Sequence, residues 1–457
     1  TTTATPTATP PAGSIQFVGA APAQIGVRGS GLPEQSVLTF RVNNTLGSPI
    51  PGVSVQFILQ GTGSESLNPL TGVSDQNGQV TTAVTSGIQA APVRVVAQLV
   101  SNPAIQAQST AVSVLGAPPA ENHFSMAPQL HNIAGRVTFG LQDVITVFAN
   151  DRFGNAVPPG TAVSFVTNAA SVVNPTTSDS SGQATATLLS EGLIPLDSGI
   201  VTVMAYTRGE EAFIDNNGNG VFDCLGGGTP PCPPVAGPTG DKISSDDLPE
   251  PFIDYRPNPP VGCVVPAQQG CDGKFDTNQP FERFVDTNNN NVWDSVGCGE
   301  SIPQIPPGPS CVGTTGIGQG NHGEWDNNVL LFSTTTVTFS GGLVTPKCDP
   351  VGSCNGFHIL PGGFLVFTFE VHDDLLNPLV GGSTITVSAS TGTLTGGSFT
   401  VPDGESFNQL VGGLTQFTFV LSADPTLMMD ENAALSVTVS SQNGSGTFIL
   451  GNGTLGP

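Results

Sequence analysis

Residues 37 to 59, "VLTFRVNNTLGSPIPGVSVQFIL", alternate apolar and polar positions twice, with an Asn/Gly/Pro turn between the two runs. The figure returns as "VITVFANDRFGNAVPPGTAVSFV" at 144–166 and as "VFTFEVHDDLLNPLVGGSTITVS" at 366–388. A two-residue period puts every second side chain on one face of a strand, so each block predicts two half-buried strands joined by a turn. Thr39, Thr146 and Thr368 correspond, as do Leu46, Phe153 and Leu375, and the turns hold Asn43-Asn44, Asn150-Asp151 and His372-Asp373. Downstream, "SDQNGQVTTAVTSG" and "SDSSGQATATLLSEG" each place Asp and Gly in a turn that launches another alternating strand. "PDGESFNQLVGG" is the weaker third version. A further run follows in each unit: "VRVVAQLV", "IVTVMAYT" and "AALSVTVSS".

About seven short strands in each unit of roughly 100 residues predict a two-sheet sandwich. The fold class expected is therefore all-β: three tandem immunoglobulin-like sandwiches. The divisions are a Thr/Pro-rich arm at 1–13 and domains at 14–117, 122–341 and 342–457. The second unit is interrupted. Its penultimate strand ends near Arg208, and its last strand is "VLLFSTTTVTFSG" from Val329, which leaves an insertion over 209–328. So long a segment needs structure of its own.

Composition sharpens this picture. Only 10% of residues are charged, Gly (58) and Pro (40) abound, and the formal charge is −24. With no cluster of Lys and Arg to neutralise phosphates, nucleic acid is excluded as a partner. No run of about 20 apolar residues is present to span a bilayer as a helix. The insertion carries 17 acids against 4 bases, a local net of −13. All eight cysteines lie between 224 and 354: Cys224, Cys232, Cys263, Cys271, Cys298, Cys311, Cys348 and Cys354. They fall into near neighbours without zinc-type spacing, so local disulfides and an oxidising, extracellular or cell-surface location are expected.

The insertion repeats a second figure. "EAFIDNNGNGVFD" (211–223) and "ERFVDTNNNNVWD" (282–294) set oxygen-bearing side chains on alternate residues. A tightly curled loop points these residues at one cation, and Asn supplies a neutral oxygen where further carboxylates would repel. Asp215, Asn217, Asn219, the Val221 carbonyl and Asp223 form one candidate calcium loop, with Gly220 at its sharp turn. Asp286, Asn288, Asn290, the Val292 carbonyl and Asp294 form the other, with Asn291 at the turn. A third copy begins at Glu250, Phe252 and Asp254 and ends at Asp272 and Asp276, its middle expanded around Cys263 and Cys271. Position 12, where an EF-hand has a bidentate Glu, is Gly226 or Gly297. Glu211, Glu250 and Glu282, each four places before the first Asp, are the candidates for the missing carboxylate, reaching a neighbouring copy's ion. The repeated Phe213, Phe252 and Phe284 are expected to form a small core, with Trp293 as counterpart of Phe222 and Phe275. The ion expected is structural Ca²⁺: the segment is too polar to bury a large core.

The stretch "IGVRGSGLPEQSVLTFRVNNTLGSPIPGVSVQF" followed by "SDQNGQV" resembles the bacterial immunoglobulin-like domains of the invasin and intimin type. The likeness covers residues 14–116 and the second copy outside its insertion; the third is looser, with Leu376 where the others have Gly. The resemblance implies a surface or secreted protein whose domains stack into a rod, and no catalytic residues. No nucleophile elbow, zinc helix or phosphate loop appears, and the five histidines are scattered. A non-enzymatic structural role is therefore expected: a rod, or a filament subunit whose N-terminal arm adds a strand to another copy, with an adhesive surface for a ligand. The alternative is a set of accessory ligand- or carbohydrate-binding modules of a secreted enzyme system.

Overall fold

The computed structural model describes residues 11–195, 198–215, 222, 242–243, 248–254, 275, 281–287, 289, 291–293, 327–405 and 409–457. Three sandwiches follow one another, each with its own apolar core. The one helical element among the described residues is a single 3₁₀ turn, Glu121–His123. In the first sandwich, one sheet runs in the order Ala12–Ala21, Gln35–Asn44, Gln79–Thr85, Ser66–Asn68. The facing sheet runs Thr71–Val73, Ser54–Gln60, Arg94–Leu99, Gln106–Gln108. The other two domains repeat this order, which is that of an immunoglobulin-like fold.

The two-residue period decides which face is buried. Leu38, Phe40 and Val42 point inward from Gln35–Asn44, while Val37 and Thr39 point outward. Ile145 and Val147, then Phe367 and Phe369, do the same in the later copies. In every domain a short early strand also pairs in parallel with the last one. Gln24–Gly26 lies beside Ser113–Leu115, Asn132–Ile133 beside Val329–Phe339, and Phe357–Ile359 beside Gly446–Leu455.

The Asp/Gly turns form as expected. Asp75 Oδ1 accepts from the N–H of Asn77 and Gln79, and Asp179 Oδ1 from those of Ser181 and Gln183. Gly78 and Gly182 follow with positive φ, where a Cβ would lie 2.5 Å from Val42 O and 2.4 Å from Ala149 O. The first turn of each domain has the same left-handed site at Gly47 (φ 81°) and Gly154 (φ 80°), but the third domain puts Leu376 there at φ 63°. An L side chain in that region costs about 1–2 kcal/mol, while glycine gives back roughly 0.5–1 kcal/mol of backbone entropy. Leu376→Gly is therefore expected to raise stability by about 0.5–1 kcal/mol. Leu376→Ala keeps the strained φ, gives up a half-buried side chain and is expected to lower stability. Denaturant melts in which both variants moved the same way would contradict this.

The insertion leaves between the last two strands of the second sandwich. Ile200–Gly209 and Val329–Phe339 form an unbroken antiparallel ladder from Ile200↔Thr338 to Gly209↔Val329. Ile200–Gly209 is buried on both faces. Val201, Val203 and Ala205 face the sandwich core, whereas Ile200 and Met204 pack with Ile253, Phe281 and Val285 of the insertion. Part of the insertion thus lies flat on its own domain.

Candidate functional site

Three features could carry function: the root of the insertion, its repeated loops, and the two interdomain joints.

At the root, Glu210 N donates to Pro119 O, Glu121 N donates to Glu210 O, and Ala212 N donates to Glu121 Oε2. Arg152 gathers three parts of the chain. Its Nη1 meets Glu210 Oε2 at 2.5 Å, its Nη2 donates to Gly29 O of the first domain at 2.9 Å, and its guanidinium lies 5.9 Å from the Phe213 ring. Glu210 is buried, and that burial outweighs the nearby guanidinium, pushing its carboxyl up to about 7. Beside this clamp is a cleft of about 140 Å³ bordered by Arg152, Phe153, Glu211, Phe213 and Asp215.

The copies within the insertion pair with one another. Phe252–Ile253 runs antiparallel to Arg283–Phe284, joining the second and third copies. Their aromatic side chains are exchanged. Phe252 of the second copy packs on Trp293 of the third at 4.8 Å, and Phe284 of the third packs on Phe275 of the second at 4.7 Å. In the first copy Phe213 meets its own Phe222 at 5.5 Å. Glu250 is fully buried and also reaches across: its Oε1 accepts from Thr287 N at 2.6 Å and Thr287 Oγ1 at 2.7 Å, at the mouth of the Asp286 loop. Glu211, Glu282 and Asp254 are buried, and Asp215 and Asp286 are half-buried. The Asp286 loop curls back on itself. Asn291 N donates to Asp286 Oδ2 at 2.8 Å, and Asn289 and Asn291 have φ of 60° and 61°. Val292 is exposed.

Among the described residues no three His, Cys, Asp or Glu converge closely enough to hold a metal. Asn217, Asn219, Val221, Asp223, Asp272, Asp276, Asn288, Asn290 and Asp294 lie outside the described residues, as do Cys224, Cys232, Cys263, Cys271, Cys298 and Cys311. Cys348 and Cys354 are joined in a disulfide at the start of the third sandwich, in the near-neighbour pairing expected for them.

The joints use one device twice. Asp151 Oδ1 closes its own turn by accepting from Phe153 N and Asn155 N, while Oδ2 accepts Ala117 N of the linker at 2.9 Å. Asn155 reaches the first domain, taking Ala90 N on its oxygen and donating to Ile88 O. Phe153 packs against the first domain's core. In the third domain Asp373 Oδ1 accepts from Leu375 N and Asn377 N, and Oδ2 accepts Gly341 N at 2.7 Å and Arg136 Nη1 at 3.2 Å. Asn377 Nδ2 donates to Ser198 O, and Arg136 also grips Asp374, holding that carboxyl below the usual range. Asn443 adds bonds to Ser340 Oγ and Gly341 O.

A second patch flanks this joint. His131 meets Asp403 at 3.1 Å, and Thr336 Oγ1 donates to Glu405 at 3.0 Å. Burial pushes Glu405 up to about 7 against its bond from Thr336, and pushes the neighbouring Asp143 up to about 6. Sequence reading took Asp151 and Asp373 only as turn residues. The signal lay in the contrast between copies: Asp and Asn four apart in the second and third, against Asn44 and Ser48 in the first.

No known protein family matches the chain, and no curated protein matches it. Among solved structures, the chain is similar to the adhesin InvE of Yersinia pseudotuberculosis at 17% identity and a TM-score of 0.21, over 42% of this chain and 54% of that one. It therefore spans about half the length of InvE. It is similar to invasin, a bacterial integrin-binding protein, at 14% identity and a TM-score of 0.22, covering 96% of this chain and 78% of that one. For domains A168–A170 of titin the figures are 9% identity, a TM-score of 0.20, and 96% and 99% coverage. Values this low assign neither a ligand nor an activity to this chain.

Proposed function

We propose that this chain is a non-enzymatic structural protein of the bacterial surface, built from invasin-type domains held end to end as a stiff rod. Its one large insertion is a lateral platform for adhesion. The observation that carries this reading is the repeated joint: at both domain boundaries a buried Asp ties the linker to the next domain's first turn, and an Asn four residues on grips the previous domain. Polar bonds buried away from water hold one geometry, because every alternative leaves a donor or acceptor unpaired. The rod is tested by electron microscopy of the purified chain. Straight or consistently angled particles three domains long support it, and a distribution of freely hinged shapes would refute it.

Calcium is part of this proposal. The Asp215, Asp254 and Asp286 repeats would hold it, and the ion supplies positive charge that lets clustered carboxylates coexist in a segment with little apolar core. Buried Glu250 at the Asp286 loop and the curl imposed by Asn289 and Asn291 support this reading. Limited proteolysis is expected to spare the insertion in calcium and to cut within 209–328 after chelation, while the first and third sandwiches stay whole. Glu250→Gln is expected to need more calcium for the same protection. Identical digestion with and without chelator, together with no bound ion by mass spectrometry, would remove calcium from the proposal.

A further inference from the structure

The two internal joints define what each end of a sandwich must present. The receiving end offers hydrogen-bond donors: Ala117 N in the first domain, Gly341 N and Arg136 in the second. The entering turn offers an Asp acceptor, an Asn four residues later and, at the first joint, an apolar residue between them, Phe153. The first turn of the first domain and the far end of the third make no such joint among the described residues, and each departs from the pattern.

The first domain's turn has Asn44 and Ser48 at the Asp and Asn positions. Asn44 Oδ1 still closes the turn through Leu46 N and Ser48 N. The outer atom of its side chain, however, is an N–H₂ donor instead of a carboxylate acceptor. Leu46 occupies the position of Phe153 and is 78% exposed. At the far end of the third domain, the parallel pairing of Ile359 with Leu455 matches that of Ile133 with Phe339. By this register Gly362 stands where Arg136 does, and Pro457, which has no N–H, stands where Gly341 does. The same end exposes Met428 (86%), Met429 (77%), Phe364 (64%) and Leu360 (59%).

The acceptor is thus missing from one end and the donors from the other. Had only one been lost, contact between the ends would bury an unpaired polar group. Losing both together suits an apolar contact. We propose that these ends meet in trans: the Leu46 turn of one copy seats on the Met428–Met429 face of another. Methionine adapts its shape to such a contact, and a head-to-tail interface that does not close gives an open chain of copies. This inference rests on the rod reading. It differs from strand donation by the N-terminal segment, because Ala12–Ala21 is already paired along its own neighbour, Gln35–Asn44.

The test is sedimentation velocity of the full chain in calcium across a wide concentration range, with Leu46→Asp and the double variant Met428→Asp/Met429→Asp. These residues are exposed, so unchanged melting temperatures show that the variants fold. The wild-type chain is expected to form concentration-dependent multimers, and each variant alone to associate at least about a hundredfold more weakly, since a charge would be buried without a partner. Mixing the two variants restores one intact contact and is expected to give dimers that grow no further. A wild-type chain that stays monomeric, multimers that persist in both variants, or failure of the mixture to pair would each overturn the proposal. None of these outcomes changes particle shape, so the rod reading fails separately, through hinged monomers.

Discussion

Asp373→Ala is expected to lower the stability of the third domain by about 3–5 kcal/mol, the usual cost of removing one partner from a buried charged pair. The carboxylate is completely buried, faces Arg136 across the joint, and also closes its own turn. Asp373→Asn separates these roles. Asparagine keeps the turn-closing oxygen, as Asn44 does in the first domain, but turns a donor toward Gly341 N and Arg136 Nη1. Because asparagine still accepts from Leu375 N and Asn377 N, which alanine cannot, the loss should be smaller, about 1–3 kcal/mol, and confined to the joint. Calorimetry should then show the second and third domains unfolding together in the wild type and apart in Asp373→Asn. Unfolding that remained in one step in both variants would show that the joint does not couple the domains.

The same boundary should respond to pH. Glu405 and Asp143 have folded-state values raised to about 7 and about 6 from ordinary values of 4.5 and 3.8, in both cases mainly by burial. Thr336 donates to Glu405 and the N–H groups of Leu130 and Val144 donate to Asp143, all opposing the rise; Asp403 adds to the upward push and His131 opposes it. A carboxyl raised on folding contributes fully below its unfolded value and loses that contribution as pH rises through its folded value. Stability from this patch is therefore present near pH 4 and lost by about pH 7–8, with Glu405 alone worth about 3 kcal/mol across the window. Buried Glu210 adds the same sign at the first joint. Asp374, Asp179 and Asp424, all held low by hydrogen bonds, act oppositely but only in more acid solution. Glu405→Gln keeps an acceptor for Thr336 and removes the titration. Melting temperatures from pH 5 to 8 should fall in the wild type and flatten in the variant. Parallel curves would dismiss Glu405 as the source.

Much of the fold was legible because a half-buried strand writes itself in alternation. "VLTFRV", "VITVFA" and "VFTFEV" became neighbouring central strands in the same place in all three copies. The break at Arg208 and the resumption at Val329 were visible because the strands on either side are partners, Arg208 facing Leu330. What stayed hidden depends on distant neighbours. Nothing in "IVTVMAY" says that its second face would be covered by Ile253 and Phe281. The repeat predicted that Phe252, Phe284, Phe275 and Trp293 form a core, yet not that partners would be exchanged between copies. Asp151 and Asp373 were obscured because a turn-closing carboxylate uses one oxygen, and local sequence is silent about the second.

The parallel pairing of an early strand with the last one has a mechanical consequence. Tension applied between the two ends of a domain enters near the early strand and leaves along the last. Because the two strands run the same way, opposite pulls slide them past each other, so the bonds between them share the load instead of parting one by one. In the second domain those bonds join Asn132–Ile133 to Thr338–Phe339, at the opposite end of the last strand from Val329, where the insertion rejoins. The insertion therefore hangs outside the line of force. The chain can be taut from end to end while whatever the insertion holds is left unstretched.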